Sequence, residues 1–342
     1  MNQQEIEKPA PVLNEKGLPI NMGWAKKPLF HCEESMLWTP DRFCTASEKY
    51  VIFSNSSLFV FELCNCGNFG FLHVSAVSLL DKHIEAKTVT TPLYSGSFPL
   101  MSTNQKKTFS LHYKNNLVEF ISMDNTTKII KIDMSQIGRN RRLRGEVVLF
   151  EPFDAQSIST HSFWPNESRR LKIVRSSPWL IVEGVMQFEN MDMAFNKTRA
   201  WGIHYCSRIV RPKNDFHFWA AGCGLQNGRQ IGFNIGYGSD DSSFGTENAF
   251  FINGNIHKLE YVTMQFSPSS RLNPWLFSSN DNRLEMKFFP LQEHEYNTYF
   301  MTHTNKSHQV YGFFSGRIVT SEGYNIVFSR ITGVIEQIKT RN

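Results

Sequence analysis

The chain has 342 residues, of which 41% are hydrophobic and 20% are charged, and its formal net charge is +5. This composition supports a packed core and excludes an extensively disordered chain. Apart from Arg139, Arg141, Arg142 and Arg144, which we interpret as a solvated loop, the basic residues are scattered and lack an aromatic-basic repeat. No nucleic-acid partner is therefore expected.

The length suggests two domains or one large domain. Six cysteines in so long a chain do not make a disulfide scaffold, so reduced and mostly buried thiols are expected. The opening stretch MNQQEIEKPAPVLNEKG lacks the apolar region of a signal peptide, and no run approaches the length of a membrane span. We therefore expect a cytoplasmic protein without a transmembrane segment.

Strands dominate the chain after an extended N-terminal arm at 1–22. The segments LFVFEL (58–63), KIIKID (128–133) and RLEMKFF (283–289) read as strands, the last with strict alternation. The most helix-tolerant segment is 72–87, which fits a strand and a turn equally well. No segment of a dozen residues combines a helical period with caps.

Turn signals separate these strands closely. Asn253-Gly254 is the strongest hairpin signal, and Lys114-Asn115, Asp281-Asn282 and Ser321-Glu322-Gly323 mark further turns. Roughly fifteen to eighteen strands result, too many for one small barrel. We predict an all-β fold of two antiparallel lipocalin/calycin-like barrels or strongly curved sheets in tandem, with few short helices. The softest boundary lies within 161–179, which predicts an N-terminal barrel domain at 23–170 and a C-terminal one at 171–342.

The segment GYGSDDSSFGTEN, 236–248, is the most polar turn region of the chain. A phosphate loop is disfavoured because a strand, not a helix, follows the glycines. A calcium loop is disfavoured because Asp240 and Asp241 are adjacent and Glu247 is at the wrong offset. A long structural turn and a polar loop at a barrel mouth remain as alternatives.

Metal and nucleotide motifs are absent from the sequence. No HExxH or GxSxG motif occurs, and the histidines lack the spacing of zinc ligands. We therefore predict no metal and no cofactor.

A family resemblance becomes visible along most of the chain. It is specific in three segments, GFNIGYGSDDSSFGTENAFFINGNIHKLEYVTMQF (232–266), NPWLFSSNDNRLEMKFFP (273–290) and HQVYGFFSG (308–316). It is looser in GLPINMGWAKKPLFHC (17–32) and RRLRGEVVLFEP (141–152). These segments resemble the family called domain of unknown function 2804.

The resemblance implies which positions to examine. Arg208 corresponds to an arginine of the family pattern, whereas an aspartate of that pattern falls on Tyr205. Further matches are Asp241, Glu247, Asn248, His257, Trp275, His308, Gln309 and Glu336. If relatives use the aspartate as a proton donor or base, Tyr205 implies a lost or altered activity.

The family in turn resembles, at the level of fold, proteins built from two lipocalin-like barrels, among them carotenoid hydratases, pericyclases and lipid carriers. Fold does not give function, so three hypotheses stay open. The chain binds a hydrophobic small molecule, a lipid or isoprenoid, in an aromatic-lined barrel, as its 29 Phe favour. Alternatively it is a cofactor-independent isomerase, cyclase or hydratase acting by acid/base catalysis on an apolar substrate. In the third hypothesis, both barrels are filled and the protein is structural. No protein partner is indicated.

Glu247, Asp241 and His308 are the candidate catalytic residues. Candidate ligand-binding residues are Arg208, Trp219, Asn234, Asn248, His257, Trp275, Gln309 and Glu336. Each has a structural alternative: His308 as a satisfied strand histidine, Trp219 and Trp275 as core, Arg208 as an ion-pair partner, and Glu336 as a solvent-facing carboxylate. A carboxylate or histidine on a cavity wall favours the enzyme, and a purely apolar lining favours the carrier.

Overall fold

A computed structural model describes residues 3–37, 44–54, 57–67, 69–92, 107–139, 141–167, 169–188, 191–300 and 303–341. Nearly all regular structure in it is strand, and the two large sheets are antiparallel and strongly curled, which confirms the predicted fold class. Within these residues, no helix is long and apolar enough to cross a membrane.

The strands and the one described helix, in chain order, are Ala10–Pro11 (β1), Gly23–Ala25 (β2), Phe30–His31 (β3), Glu34–Leu37 (α1), Cys44–Phe53 (β4), Ser57–Asn65 (β5), Phe69–Ser78 (β6), His83–Pro92 (β7), Lys107–Tyr113 (β8), Asn116–Ser122 (β9), Thr127–Ile137 (β10), Arg141–Phe150 (β11), Ile158–Phe163 (β12), Leu171–Phe188 (β13), Met191–Phe195 (β14), Trp201–Val210 (β15), Asn214–Gln226 (β16), Arg229–Gly238 (β17), Ala249–Ile252 (β18), Asn255–Lys258 (β19), Val262–Gln265 (β20), Trp275–Ser279 (β21), Leu284–Phe300 (β22), His303–Val319 (β23) and Asn325–Arg341 (β24).

The chain forms two compact units, each assembled from segments that are distant in sequence. Unit 1 comprises Met1–Thr45, Gln156–Pro178 and Tyr205–Asn342, and unit 2 comprises Ala46–Ala155 and Trp179–His204. The N-terminal arm at 1–22 and the domains at 23–170 and 171–342 were predicted as consecutive segments of the chain. This division stays a prediction.

Unit 2 is a curled sheet. Its strands follow the order β7-β6-β5-β4-β15-β13-β11-β10-β9-β8, with β14 beside β13. The ammonium of Lys87 on β7 donates to the Gln136 carbonyl on β10 at 2.8 Å. Because β7 and β10 are far apart in that order, this contact requires the sheet to curl back on itself. The core inside the curl includes Tyr50, Phe59 and Phe61.

Unit 1 contains a second antiparallel sheet, in the order β19-β18-β17-β16-β24-β23-β22-β21-β20. Alternation along the strands gives it two chemically different faces. One face packs Phe218, Phe233, Phe250 and Trp275, with other apolar side chains, into a core. The aromatic side chains on this face therefore pack mainly against one another.

The other face of this sheet is polar. On neighbouring strands Trp219 pairs with Glu336, and Glu336 pairs with Gln309, so these three side chains form a row on one face. His217 and Asn234 project from the same side, because His217 lies two residues from Trp219 and Asn234 pairs with Ala221. We call the surface carrying these five residues the polar face.

The predicted turns are observed. Asn253 and Gly254 have φ of 48° and 81° between β18 and β19, the left-handed conformation that a two-residue hairpin needs. Segment 72–87 forms the end of β6, a turn and the start of β7, the strand-and-turn alternative.

Candidate functional site

The loop 236–248 lies against the polar face and carries the site's central carboxylate. It leaves β17 at Gly238 and enters β18 at Ala249. The N-terminal arm braces it: the Gln4 amide donates to the Phe244 carbonyl at 2.8 Å, and the Thr246 amide donates to Gln3 Oε1 at 3.0 Å. The loop is therefore fixed by main-chain and side-chain bonds instead of projecting freely.

Glu247 is buried, with 3% of its surface exposed, and its carboxylate accepts hydrogen bonds from three side chains. Lys172 Nζ lies 3.1 Å and His217 Nε2 lies 3.0 Å from Oε1, and Asn234 Nδ2 lies 3.1 Å from Oε2. Gly236 makes room for this carboxylate, since a Cβ at Gly236 would lie 2.3 Å from Glu247 Cδ. We call Tyr205, Glu247, Lys172, His217 and Asn234 the Glu247 cluster.

The buried charges in this cluster balance one another. Burial alone raises the pKa of the Glu247 carboxyl, but the Lys172 ammonium and then His217 outweigh it and hold that pKa well below its usual range. Burial lowers the pKa of Lys172, whereas Asp240 and Glu247 raise it, and the pKa ends above its usual value. Glu247 and Lys172 are therefore both ionised.

Asp240 supplies the second carboxylate near Lys172. Its Oδ1 lies 3.5 Å from Lys172 Nζ, and its Oδ2 accepts a hydrogen bond from Ser162 Oγ at 2.6 Å. Two carboxylates thus surround one ammonium. Because an ionised carboxylate only accepts, His217 Nε2 is the donor to Glu247, and Nδ1 is the nitrogen available for proton transfer.

Asn234 connects Glu247 to Trp219. Its Nδ2 donates to the Glu247 carboxylate and, at 2.9 Å, to the Glu247 main-chain carbonyl, while its Oδ1 accepts from Trp219 Nε1 at 2.7 Å. All three side chains are buried. The amide orientation is therefore determined on both sides, which fixes the indole ring beside the cluster.

Tyr205 places a phenol over the cluster. Its ring centroid lies 4.9 Å from that of Trp219 and 6.3 Å from that of His217. Burial first, then the charge on Glu247, raises the pKa of the phenol well above its usual value. The hydroxyl lies close enough to feel Glu247, yet it forms no hydrogen bond of acceptable geometry with the described residues. A neutral donor is therefore held next to an ionised carboxylate without a well-formed hydrogen bond to it.

A second ion pair borders the cluster. Arg211 donates to Asp215 Oδ2 at 2.5 Å, and Ser239 Oγ donates to Asp215 Oδ1 at 2.6 Å. Trp164 Nε1 donates to the same Ser239 oxygen at 3.2 Å. Burial raises the pKa of Asp215, but Arg211 and Ser239 leave it below its usual value. The Arg211–Asp215 pair therefore holds Ser239, the first loop residue after β17.

Asp241 and Asn248 bond to the backbone of the loop. Asp241 Oδ1 accepts the Ser243 amide at 2.9 Å, and the Asp241 amide donates to the Phe163 carbonyl at 2.8 Å. Asn248 Oδ1 accepts the Gly236 amide at 2.9 Å. Of the two adjacent aspartates, Asp240 contacts Lys172, and Asp241 holds the turn. Catalysis by Asp241 stays a prediction without a contact that supports it.

Glu336 and Gln309 lie on the polar face in the same row as Trp219. Glu336 is 1% exposed, so the solvent-facing alternative for this carboxylate is wrong. Its Oε1 accepts from Gln309 Nε2 at 2.9 Å, from Tyr296 at 3.3 Å and from Ser307. The sequence prediction thus names seven residues that the structure brings to the polar face or its loop: Trp219, Asn234, Asp241, Glu247, Asn248, Gln309 and Glu336.

Two other candidates, His308 and Trp275, have contacts elsewhere in unit 1. His308 Nε2 lies 2.9 Å from Glu293 Oε2, and both partner carboxylates, Glu293 and Glu295, are about one-third exposed. Trp275 Nε1 donates to the Arg271 carbonyl at 2.8 Å, and its ring stacks on another ring of the core at 4.1 Å. These geometries match the structural alternatives for both residues.

His257 and Arg208 also have partners outside the Glu247 cluster. His257 Nδ1 accepts the Ser321 amide at 3.2 Å, and its ring stacks on Phe250 at 4.9 Å. Burial raises the pKa of the Cys44 thiol to about 12, and the charge on Arg208 opposes this shift. Arg208 therefore lies near Cys44.

Sequence reasoning missed Lys172 and His217 and saw Tyr205 only as a departure from a pattern. Lys172 is 75 residues from Glu247, so no local motif could connect them. His217 alternates with Trp219 on β16, which was the available signal for a shared face. Among the described residues, no group of three or more His, Cys, Asp or Glu side chains is arranged to hold a metal ion.

Comparisons with known proteins concern family and fold. A family model described as Domain of unknown function (DUF2804) matches residues 3–342, which confirms the resemblance found in the sequence. No curated protein matches the chain. Kievitone hydratase from Nectria haematococca is similar in structure, with a TM-score of 0.51 and 11% identity, over 86% of this chain and 88% of that one. CghA, solved with Sch210972, gives a TM-score of 0.55 and 9% identity, over 87% and 88%. At such identities the likeness shows a common fold.

Proposed function

The chain belongs to the domain of unknown function 2804 family, a name that assigns no reaction, and we propose that it catalyses proton transfer on a small hydrophobic molecule at the Glu247 cluster. One observation carries the proposal: the Tyr205 hydroxyl, which has no well-formed hydrogen bond with the described residues, is buried beside an ionised carboxylate that is hydrogen-bonded to a histidine. Buried groups with strongly shifted pKa values and an unmet hydrogen bond are typical of catalytic sites.

Each residue has a distinct role in the proposed reaction. Tyr205 donates a hydrogen bond to a substrate oxygen and stabilises the negative charge that develops there. His217 exchanges a proton with the substrate carbon through Nδ1, while Glu247 orients the ring and balances the imidazolium. Lys172 keeps Glu247 ionised. Trp219 offers the edge or face of its indole to an apolar substrate.

The substrate class follows from these roles. An oxygen facing a phenol and a carbon facing an imidazole describe a carbonyl or phenol conjugated to a carbon-carbon double bond. Conjugate hydration, double-bond isomerisation through an enol, and ring closure by conjugate addition each move a proton to or from carbon and develop negative charge on the oxygen. The names of the similar structures, a hydratase and a protein bound to Sch210972, support a small organic substrate.

A second candidate is binding of a hydrophobic small molecule without reaction. The Tyr205 and Trp219 rings pack on each other with centroids 4.9 Å apart, and in this second function a ligand contacts these rings without reacting. A carrier would release its ligand chemically unchanged. Replacing the charged Glu247 by a neutral residue would then alter only the affinity for the ligand.

Deuterium incorporation tests the catalytic proposal. The protein is incubated in D₂O with kievitone and chalcone, and mass spectrometry follows deuterium uptake or addition of D₂O. Wild type should convert at least one compound, and Glu247→Gln should slow conversion about 100-fold or more, within the usual range for acid/base catalysis. The matched control is Glu285→Gln, since Glu285 is an exposed strand carboxylate paired with Arg317.

Binding is followed in parallel by quenching of tryptophan fluorescence. A compound that binds wild type but acquires no deuterium supports the carrier and contradicts the enzyme. Conversion by Glu247→Gln at the rate of Glu285→Gln would also exclude the catalytic role of the cluster.

A further inference from the structure

Unit 2 contains a cavity of 640 Å³ that is separate from the Glu247 cluster in its lining residues. Its wall is apolar, formed by Phe59, Ala76, Val77, Phe188 and Met193. Such a volume falls within the range of pockets that hold small organic molecules. We call it the unit 2 cavity.

The inner wall of the unit 2 cavity belongs to the unit's apolar core. Phe59 and Ala76 pair across β5 and β6, and the Phe195 ring packs edge-on against Phe59 with centroids 5.8 Å apart. Phe59, Ala76 and Phe188 are all buried. A small side chain at Ala76 between larger neighbours leaves the space, and the packed rings keep the wall rigid and apolar.

The rim of the cavity is polar but nearly balanced in charge. Glu85, although not part of the lining, accepts a hydrogen bond from His83 Nε2 at 2.7 Å, and its Oε1 lies 3.5 Å from Arg141 Nε. Asp81, at the rim, accepts from Ser78 Oγ at 2.8 Å. Two carboxylates, one guanidinium and one imidazole lie at or beside the rim, so the rim offers hydrogen bonds without excess positive charge. It suits a neutral polar end better than a carboxylate.

The mouth carries an exposed apolar side chain. Leu80, in the turn between β6 and β7, lines the cavity and is 77% exposed. A bound molecule that reaches the mouth would cover this leucine. The order from inside to outside is therefore an apolar wall, a neutral hydrogen-bonding rim and an apolar edge.

We propose that the unit 2 cavity binds a neutral amphiphile, an apolar chain or ring system ending in a hydroxyl, with its apolar part against Phe59 and Ala76. Its hydroxyl bonds to the polar lining residues Ser57, Ser78 and His83. The site does not depend on the proposed reaction, because none of its lining residues belongs to the Glu247 cluster.

Displacement of a neutral fluorophore tests this site. N-phenyl-1-naphthylamine is bound to the full chain at pH 8, and 1-dodecanol and dodecanoate compete for it. Dodecanol should displace the probe at least tenfold more effectively than dodecanoate. Equal or better displacement by dodecanoate, or absence of probe binding, would overturn the proposal.

Two variants locate the site. Ala76→Phe fills the cavity and should weaken dodecanol binding at least tenfold; circular dichroism checks that it folds. Leu80→Asn changes only the exposed mouth and should weaken binding about threefold, whereas Leu272→Asn, at a leucine 45% exposed in unit 1, should not. If Leu80→Asn binds like Leu272→Asn and a folded Ala76→Phe binds like wild type, the cavity is not the binding site.

Discussion

Lys172 Nζ lies 3.1 Å from Glu247 Oε1, and both side chains are at least nine-tenths buried. Breaking a buried pair by removing one partner costs about 3–5 kcal/mol, because the remaining charge is left uncompensated. Lys172→Met should therefore lower the free energy of unfolding by about that amount in urea titrations, since both Glu247 and Asp240 lose their ammonium.

The control for this substitution is Lys306→Met. Lys306 pairs with Glu295 at 3.0 Å, but both side chains are more than one-third exposed, so its loss should cost less than about 1 kcal/mol. Adding Glu247→Gln to Lys172→Met should recover part of the lost stability. Equal costs for Lys172→Met and Lys306→Met would contradict the buried pair.

Position 236 requires glycine because the Glu247 carboxyl packs directly against its backbone. A methyl group at Gly236 would meet the Glu247 carboxyl at 2.3–2.6 Å, and three hydrogen bonds prevent that carboxyl from moving. Gly236→Ala should destabilise the protein by about 1–3 kcal/mol, as overpacking does. At Gly224 the nearest atom is the flexible end of Ile331, so Gly224→Ala should cost less. Thermal unfolding that ranks them in the reverse order would refute this packing.

His161 makes stability depend on pH above the range of the carboxyl groups. Burial lowers its pKa to about 4, and the backbone at Asn21 and Ile20 only partly offsets this. Between pH 6.5 and pH 4 His161 binds a proton in the unfolded chain but stays neutral in the folded chain. The free energy of unfolding is therefore highest above pH 6.5 and falls as the pH is lowered toward 4. The loss is on the order of 3 kcal/mol.

Urea titrations at pH 6.5 and pH 4 measure this loss. His161→Leu should reduce the difference in the free energy of unfolding between pH 6.5 and pH 4. A substitution at the exposed His112 should leave that difference unchanged. An unchanged difference in His161→Leu would show that other groups cause the acid sensitivity.

The fold was predictable because its signals are local. Alternation in RLEMKFF and the Asn253-Gly254 pair fix strands and turns within a few residues of chain. The aromatic content was less informative, because counting rings does not separate a ligand wall from a core. Trp275 packs in the core, and the Phe59 ring lines a cavity.

The site was predictable only in part because it depends on register between distant strands. Glu247 stood out by its place in a polar loop, but its partners Lys172 and His217 come from other strands. Adjacent Asp240 and Asp241 cannot be ranked by sequence, since the chain turns between them and only one side chain reaches Lys172. The feature that distinguishes Tyr205 is a buried hydroxyl without a well-formed hydrogen bond to the described residues, and no sequence pattern reveals this.

The proton-transfer rate of Tyr205→Phe tests the central proposal most directly, with Tyr324→Phe, at a tyrosine 70% exposed, as the control. Because the hydroxyl makes no well-formed hydrogen bond with the described residues, its removal should change the free energy of unfolding by less than about 1 kcal/mol. For a compound that wild type deuterates, Tyr205→Phe should bind within about threefold of wild type while deuterium uptake falls about 100-fold or more. Deuterium uptake by Tyr205→Phe at the wild-type rate would contradict the account.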